Sequence, residues 1–163
     1  MSKKEIVIIG GGPSAMIAAD ILSPYHNVSI YEKEKGIGQK FLVAGKGGFN
    51  LTNSLTGIQL ATQYLPQEFM QDAILSFDSQ SLRGWLSDLG IETFVGTSGR
   101  VFPVKGTKPA EVLNKIKEKL LSQNVKIKLG YEFVGFDNEG NVIVNHKGKS
   151  KPILADYYIF ALG

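Results

Sequence analysis

The residues best suited to chemistry stand near the N-terminus, where the run Gly-Gly-Gly-Pro-Ser-Ala fills positions 10–15. An apolar run at positions 6–9 precedes it, and a segment rich in helix formers follows it. A strand, a glycine turn and a helix in this order form the setting in which G-x-G-x-x-G/A binds the pyrophosphate of a dinucleotide. Gly10 permits the tight turn, Gly12 lets the backbone approach the pyrophosphate, and Ala15 packs the helix against the strand.

The second half of this pattern supplies a carboxylate. The helix after the glycines begins at Pro13 and Ser14, and its unpaired N–H groups are suited to phosphates. A strand pattern over 27–31 ends at Glu32, about 20 residues beyond the glycines, where an acidic side chain binds ribose hydroxyls. A carboxylate there favours the unphosphorylated ribose of FAD or NAD over NADP, and we expect the adjacent Lys33 to contact the same cofactor. A glycine turn that merely joins two strands would not explain why these features occur together, so the unit predicts a dinucleotide site.

The composition excludes several other classes of function. The 163 residues suffice for one domain, or for one domain with a small inserted subdomain. The net charge of +3, with acids and bases interspersed, provides no basic patch for nucleic acid. The chain has no cysteine, so any redox chemistry must belong to a bound cofactor. The spacing of Asp, Glu and His predicts no metal site.

The ends of the chain and its apolar runs predict its location. The N-terminus does not resemble a signal peptide, and no apolar stretch approaches the ~20 residues of a membrane span. We therefore expect a cytoplasmic protein without a membrane partner. A buried strand that stops at Gly163 is unusual, because such a strand normally delivers a turn to a ligand. We expect the chain to be the product of a truncated gene or an excised domain.

Positions 36–53 depart from an ordinary NAD domain, in which a helix and a third parallel strand would follow the second strand. Five glycines between positions 36 and 48 require unusual backbone dihedrals or a close approach to the backbone. Long glycine-rich loops in compact domains are usually functional. We expect a second cofactor-facing loop without a helix. A flexible surface connection is disfavoured by apolar residues such as Phe41, Val43 and Phe49.

The remaining patterns complete an α/β fold of the Rossmann type. The first helix is expected to turn one set of residues toward a parallel sheet: Ala15, Ile17, Ala18, Ile21 and Leu22. Inserted helices are predicted to begin near Pro66, with Phe69 in the core, and after a cap at Ser79. The other predicted elements are a helix over 107–123 and strands over 125–129, 131–136, 142–145 and 153–163. A hairpin turn joins the strands over 131–136 and 142–145, and the fold includes a small antiparallel meander. We interpret residues 1–163 as a single FAD- or NAD(P)-binding domain.

These residues resemble the BaiN-like, FAD-dependent oxidoreductases, flavoproteins with two dinucleotide-binding domains. Positions 7–15 look like the family's FAD fingerprint, and positions 38–53 look like its segment G-[RQ]-K-x-L-x-[SA]-G-x-G-[RG]-x-N-x-T-N. Positions 99–103 match its G-R-V-F-P turn, and positions 161–163 stand where the family has A-T-G-G at the flavin. The match corresponds to the family's N-terminal part, somewhat under half of its length, and lacks the family's inserted and C-terminal segments.

The resemblance implies further contacts with FAD. Glu32 would hold the adenosine ribose, Gln39 and Lys40 would approach the FAD from the second loop, and Gly163 would stand at the flavin. Positions 45–53 would approach the flavin end. The remaining implied positions are Gly45, Gly48 and Asn50 near the flavin, and Val134, whose backbone would face the adenine.

The implied function is that of a flavoprotein oxidoreductase or its FAD-binding fragment. Such an enzyme takes a hydride from reduced NAD(P) through the flavin to an acceptor that the sequence does not identify. Positions 48–50 read Gly-Phe-Asn where many relatives have Arg-Cys-Asn, so the chain resembles a cysteine-lacking subgroup of unassigned activity. No catalytic residue is assigned. His26 and His146 are expected at the surface, whereas Lys40 and Arg100 are candidates for electrostatic contacts.

Two alternatives stay open. The chain could be a non-catalytic dinucleotide-binding module, or it could be the NAD-binding domain of a dehydrogenase. The glycine-rich segment that begins at Gly36 argues against the second alternative.

Overall fold

The computed structural model describes residues 2–44 and 49–163. The chain divides into two compact units, one formed by Met1–Val43 and Leu113–Gly163, the other by Ala44–Val112. The elements are β1 (Glu5–Ile9), α1 (Pro13–Leu22), β2 (Asn27–Glu32), α2 (Gln39–Ala44), β3 (Thr52–Asn53), α3 (Gly57–Ala61), α4 (Gln67–Ser76), α5 (Ser79–Asp88), β4 (Thr93–Val95), β5 (Arg100–Pro103), α6 (Pro109–Ser122), β6 (Lys126–Leu129), β7 (Glu132–Phe136), β8 (Val142–His146), β9 (Lys149–Ile153) and β10 (Tyr157–Phe160). The single-domain assignment over 1–163 stays a prediction.

A parallel sheet of four strands forms the centre of the first unit, in the order β10-β1-β2-β6. Ile8 of β1 pairs with Ile30 of β2 and with Ile159 of β10, and both Ile8 and Ile30 are fully buried. The chain adds β2 and β6 on one side of β1 and returns as β10 on its other side. In open parallel sheets ligands bind at such a switch point, outside the carboxyl ends of the strands. The predicted Rossmann-like α/β class is confirmed.

Helix α1 buries only part of the face that the pattern predicts. Ala15, Met16 and Ala19 are buried, whereas Ile21 is 56% exposed. Alanines at positions 15 and 19 lie one turn apart and have short side chains, so they allow the closest packing of the helix. Of the larger apolar residues, Met16 is buried, Ile17 and Leu22 are half-buried, and only Ile21 of α1 is exposed.

A three-stranded antiparallel sheet, in the order β7-β8-β9, packs against the parallel sheet and confirms the predicted meander. Val7 and Ile9 of β1 share one buried cluster with Val142, Val144 and Ile153. The prediction of one strand over 153–163 was wrong, because Ile153 ends β9 and β10 begins only at Tyr157. The hairpin before β9 turns through Lys147 (φ 52°) and Gly148 (φ 80°), a pair that lacks the strong Asn-Gly turn signal.

The unit formed by Ala44–Val112 contains an antiparallel sheet in the order β3-β5-β4 and the helices α3, α4 and α5. None of the α4 residues is buried, and Phe69 is 78% exposed, so its predicted place in the core was wrong. Apolar periodicity indicates which residues share a helix face, but it does not indicate whether another element covers that face.

The pattern predicted Ser79 as the N-cap of helix α5, but the structure shows that Asp78 caps it. The Asp78 carboxylate accepts hydrogen bonds from the backbone N–H groups of Gln80 and Ser81, each at 3.0 Å. These bonds, with the one from Ser81 as the largest cause, lower the pKa of Asp78. Gly90 ends the helix with φ 68°, as its type predicts.

Helix α2 corrects the expectation that positions 36–53 lack a helix. It spans six residues, Gln39–Ala44, and follows Gly38, which has φ 70°. Six residues amount to less than two turns, too few for periodicity to reveal a helix. Within the described ranges, none of the helices combines the length and the apolar character that a membrane span requires.

Candidate functional site

The carboxyl ends of the parallel strands come together at one edge of the sheet. The backbone N–H of Gly10, just after β1, donates to the carbonyl of Tyr31 at 2.8 Å. The backbone N–H of Tyr131, just after β6, donates to the carbonyl of Glu32 at 3.0 Å. These bonds hold the segments that follow β1 and β6 beside the last residues of β2.

The glycine turn has a separate reason for glycine at each of its first two positions. Gly10 has φ 103°, and a Cβ there would lie 2.3 Å from the carbonyl oxygen of Ala161. A Cβ at Gly11 would lie 2.7 Å from Cγ2 of Ile37. At Gly12, by contrast, a Cβ would meet no heavy atom within 4 Å. The packing of the described residues therefore does not require glycine at position 12.

The first turn of α1 presents free backbone donors beside this open space. Gly12 is the N-cap and contributes no side-chain hydrogen bond, and Pro13 has no N–H to donate. The backbone N–H groups of Ser14 and Ala15 form no hydrogen bond with any of the described residues. Unpaired N–H groups at a helix N-terminus carry a partial positive charge and favour an anion.

The carboxylate of Glu32 links the end of β2 to the glycine turn. Its Oε2 accepts a hydrogen bond from the backbone N–H of Gly11 at 2.6 Å, and its Oε1 accepts one from the backbone N–H of Glu34 at 2.8 Å. An ionised carboxylate offers about four acceptor positions. Two of them are therefore left after these two bonds, and a ligand's hydroxyl groups can use them.

A pocket of about 270 Å³ opens beside Glu32. The predicted residues Gly10, Glu32 and Lys33 line it together. The other lining residues, which the sequence analysis did not predict, are Ile9, Tyr31, Tyr131, Glu132, Phe133 and Leu162.

The missed residues of the pocket follow from the sheet topology. Tyr131 lies in the short connection after β6, and Glu132 and Phe133 begin β7. The carboxyl end of β6 lies at the same edge of the sheet as that of β2. The predicted strand over 125–129 was the available signal. If its carboxyl end had been assigned to this edge of the sheet, the residues that follow it would have been expected in the pocket. Val134 is 50% exposed and lies at a bulge between Phe133 and Gly135, outside the pocket lining. Its backbone contact with adenine stays a prediction.

The ring of Tyr131 is held by its neighbours. The ring of His146 stacks on it with 4.2 Å between centroids and 12° between planes, and the ring of Tyr31 meets it edge-on at 5.3 Å. His146 is itself fixed, because its Nδ1 lies 2.8 Å from the carbonyl oxygen of Gly130. His146 is thus half-buried, which corrects its predicted surface position. The pocket has an ordered aromatic wall.

The remaining predicted residues lie elsewhere. Gln39 and Lys40 are the exposed first residues of α2. A Cβ built on Gly163 would lie 3.5 Å from Nζ of Lys40, so this ammonium group lies near the end of β10. Asn50 is exposed in the unit Ala44–Val112, and the predicted contacts of Gly45 and Gly48 fall outside the described residues.

A family model described as the HI0933-like protein Rossmann domain matches residues 4–163, the range that contains this whole arrangement. The chain belongs to the HI0933-like family. Within the described part of this HI0933-like chain, no group of three or more His, Cys, Asp or Glu side chains could hold a metal ion.

Solved structures support the fold of this HI0933-like domain. THI4 from Thermovibrio ammonificans is 17% identical with a TM-score of 0.65, and the match covers 99% of this chain and 58% of that protein. The 3-ketosteroid-delta4-(5alpha)-dehydrogenase from Rhodococcus jostii RHA1 is 13% identical with a TM-score of 0.62, over 97% of this chain and 45% of the dehydrogenase.

A flavocytochrome c3 fumarate reductase is 17% identical with a TM-score of 0.65, over 98% of this chain and 33% of the reductase. At these identities the similarity shows the fold alone. The HI0933-like chain spans less than two thirds of the length of each of these three proteins.

Proposed function

We propose that this HI0933-like domain binds FAD at the carboxyl edge of its parallel sheet. The observation that carries the proposal is the open space at Gly12, where a Cβ would meet no heavy atom within 4 Å. Glycine at a helix N-cap is less favourable than Ser, Asp or Asn unless something must come close to the backbone. The pyrophosphate of a dinucleotide is such a group.

The start of α1 provides the charge that a pyrophosphate requires. The backbone N–H groups of Ser14 and Ala15 face no partner among the described residues, and α1 is ten residues long. Its N-terminus therefore carries the partial positive charge of a full helix dipole. In the proposed complex, these donors and Gly12 hold the two phosphates.

The pocket beside Glu32 would hold the adenosine end. Its volume of about 270 Å³ is slightly below the roughly 300–1,000 Å³ of whole small-molecule sites, so it fits part of a dinucleotide and not all of it. The two acceptor positions left on the Glu32 carboxylate suit the two ribose hydroxyls. The ordered ring of Tyr131 and the adjacent Phe133 provide apolar surface for a base.

The end of β10 would lie near the flavin, with the ammonium group of Lys40 close to Gly163. When bound, the flavin supplies the redox chemistry: hydride transfer from NAD(P)H to an acceptor that is not identified. The chain's own part is to bind and orient the cofactor. We extend the proposal to an oxidoreductase function of the whole protein, the kind of activity that appears in the names of two structural neighbours, a dehydrogenase and a fumarate reductase.

The flavin content of the protein tests the proposal. Protein purified under native conditions should carry flavin absorbance in the visible range, or should take up added FAD with quenching of flavin fluorescence. A colourless protein that also fails to bind added FAD would contradict the proposal. FAD uptake without any NAD(P)H-dependent reduction of the flavin would favour the non-catalytic binding module.

A parallel titration with NAD tests the remaining alternative, the NAD-binding domain of a dehydrogenase. FAD should bind more tightly than NAD, because the proposed site extends from the pocket past Gly12 to the end of β10. Tighter binding of NAD would instead indicate the nucleotide-binding domain of a dehydrogenase.

A further inference from the structure

A second pocket, of about 400 Å³, lies within the unit Ala44–Val112. Side chains of α5, the segment before α3 and the start of β4 line it, and most of the lining is polar. Among the described residues, Asn53 is the one position of the range 45–53, expected at the flavin end, that also lines this pocket. The charged groups of the pocket have no part in the proposed FAD site, and three features of the lining indicate what they could bind.

The first feature is a guanidinium group held in place. Nε of Arg83 donates to Oγ1 of Thr93 at 3.0 Å, and Nη2 donates to the carbonyl of Thr93 at 3.4 Å. A guanidinium has five N–H donors, so three remain after these two bonds. The bonds to Thr93 fix the orientation of the half-buried Arg83, so its remaining donors are positioned in advance for a carboxylate.

The second feature is an opposite charge in the same pocket. One carboxylate oxygen of Glu92 accepts a hydrogen bond from Oγ of Ser87 at 3.3 Å. Arg83 and Glu92 both line the pocket, yet they form no ion pair with each other in the described structure. Two separate opposite charges are complementary to a ligand that itself carries both charges.

The third feature is a glycine in the interior of α5. A Cβ at Gly84 would meet no heavy atom within 4 Å. Glycine is less stable than alanine inside a helix, and the packing of the described residues gives no reason for it. Gly84 lines the pocket and is exposed, so its missing side chain leaves room at the open side of the pocket.

We infer that this pocket binds a small zwitterion of the amino-acid type. The ligand's carboxylate binds the guanidinium of Arg83, its ammonium group binds the carboxylate of Glu92, and its remaining atoms lie over Gly84. The hydroxyl groups of Ser54 and Thr56 also line the pocket, which favours a ligand with a polar side chain. The inference does not depend on FAD binding.

The probe is L-serine, compared with two analogues that each lack one charged group. Ethanolamine lacks the carboxylate, and 3-hydroxypropionate lacks the amine. In saturation-transfer NMR with the full chain, L-serine should bind in the millimolar range. Each analogue should bind at least about tenfold more weakly, because one charge-assisted hydrogen-bonding group is lost.

Single variants localise this binding. Arg83→Gln and Glu92→Gln should each weaken L-serine binding by about tenfold or more, and Gly84→Leu should abolish it by filling the pocket. Glu68→Gln, on an exposed residue of α4 that does not line the pocket, is the matched control and should bind normally. Circular dichroism verifies that each variant is folded.

Three results would overturn the inference. They are the absence of L-serine binding to the folded wild-type chain, equal binding of 3-hydroxypropionate, and unchanged binding in folded Arg83→Gln or Glu92→Gln. Arg83→Gln could fail to fold without its bonds to Thr93. In that case the inference is tested by the comparison of L-serine with its analogues and by the Glu92→Gln variant.

Discussion

Gly10 and Gly12 stand two positions apart in one turn, but they are glycines for different reasons. At Gly10 the protein's own backbone excludes a side chain, since a Cβ would lie 2.3 Å from the carbonyl oxygen of Ala161. At Gly12 the space is open, and the backbone is extended with φ −78° and ψ 179°. The same residue type therefore serves the fold at position 10 and, in our proposal, the ligand at position 12.

This difference predicts opposite effects of valine at the two positions. Gly12→Val should lower the free energy of unfolding by only about 1 kcal/mol, because valine adopts an extended backbone readily but is a poorer helix N-cap than glycine. It should weaken FAD binding by more than about tenfold, since the branched side chain occupies the space proposed for the pyrophosphate. Gly10→Val should instead destabilise the protein itself. Urea unfolding and FAD titration measure the two effects, and unchanged FAD affinity in Gly12→Val would exclude a pyrophosphate at this position.

Glu32 has a structural role in addition to its proposed role in binding. Glu32→Ala should weaken FAD binding by about 1–3 kcal/mol through the lost hydrogen bonds to the ribose. It should also lower the stability of the FAD-free protein, because the backbone N–H groups of Gly11 and Glu34 lose their acceptor. Glu34→Ala is the matched control for fluorescence titration, since only the backbone of Glu34 bonds to Glu32. Equal affinities of the two variants would mean that the ribose lies elsewhere.

Among the elements, helix α5 is capped at its N-terminus by one carboxylate, that of Asp78. The hydrogen bonds to Asp78 lower its pKa in the folded chain below its ordinary value of 3.8. A lowered pKa stabilises the fold fully above pH 3.8, and this contribution is lost as the pH falls through the folded-state pKa. The cap is therefore complete at neutral pH and lost only in acid.

The pH dependence of this cap can be tested by substitution. Asp78→Asn keeps an oxygen acceptor that does not titrate, so its melting temperature should fall less than that of the wild type between pH 7 and acid. Asp78→Ala should melt at a lower temperature than the wild type at neutral pH. Parallel pH profiles for the wild type and Asp78→Asn would show that the carboxylate charge does not stabilise α5.

Substitution of the interior glycine of α5 should raise the stability, whereas Asp78→Ala should lower it. Gly84→Ala should stabilise the protein by about 0.5–1 kcal/mol, because alanine is the better helix former and its Cβ meets no heavy atom within 4 Å. Urea unfolding measures the change. A loss of stability would mean that the helix needs glycine at this position.

At the scale of the whole molecule, stability depends on which apolar residues the sheets cover. Ile30→Ala, at a fully buried position in a central strand, should cost about 2–5 kcal/mol. Ile21→Ala, at a position that is 56% exposed, should change the stability by less than about 0.5 kcal/mol. Urea unfolding of this matched pair tests the packing, and a similar cost at both positions would place Ile21 in a core.

The parallel sheet joins the two ends of the described chain. β1, which begins at Glu5, lies between β2 and β10, and Ile9 pairs with Phe160 near the C-terminus. The unit that holds the candidate site is therefore complete only when β10 is in place. Pairing over so long a sequence separation has a high entropic cost and slows folding.

Much of the candidate site was predictable because its signals are local. The apolar strand, the glycines, the helix start and Glu32 lie within the first 32 residues, and the structure brings Gly10, Glu32 and Lys33 to one pocket. The short helix α2 and the cap at Asp78 were missed for local reasons. One helix has fewer than two turns, and two adjacent residues, Asp78 and Ser79, are both good caps.

The sequence by itself determined the βαβ start, the turn at Gly10–Gly12 and the carboxylate at Glu32, because backbone sterics and short-range periodicity set these features. Only the tertiary structure decided that Tyr131 and Phe133 join the pocket, that Ile21 and Phe69 face solvent, and that Arg83 and Glu92 share a second pocket. These outcomes depend on strand order, on register and on which faces other elements cover. They are set by contacts between distant segments, which no local pattern contains.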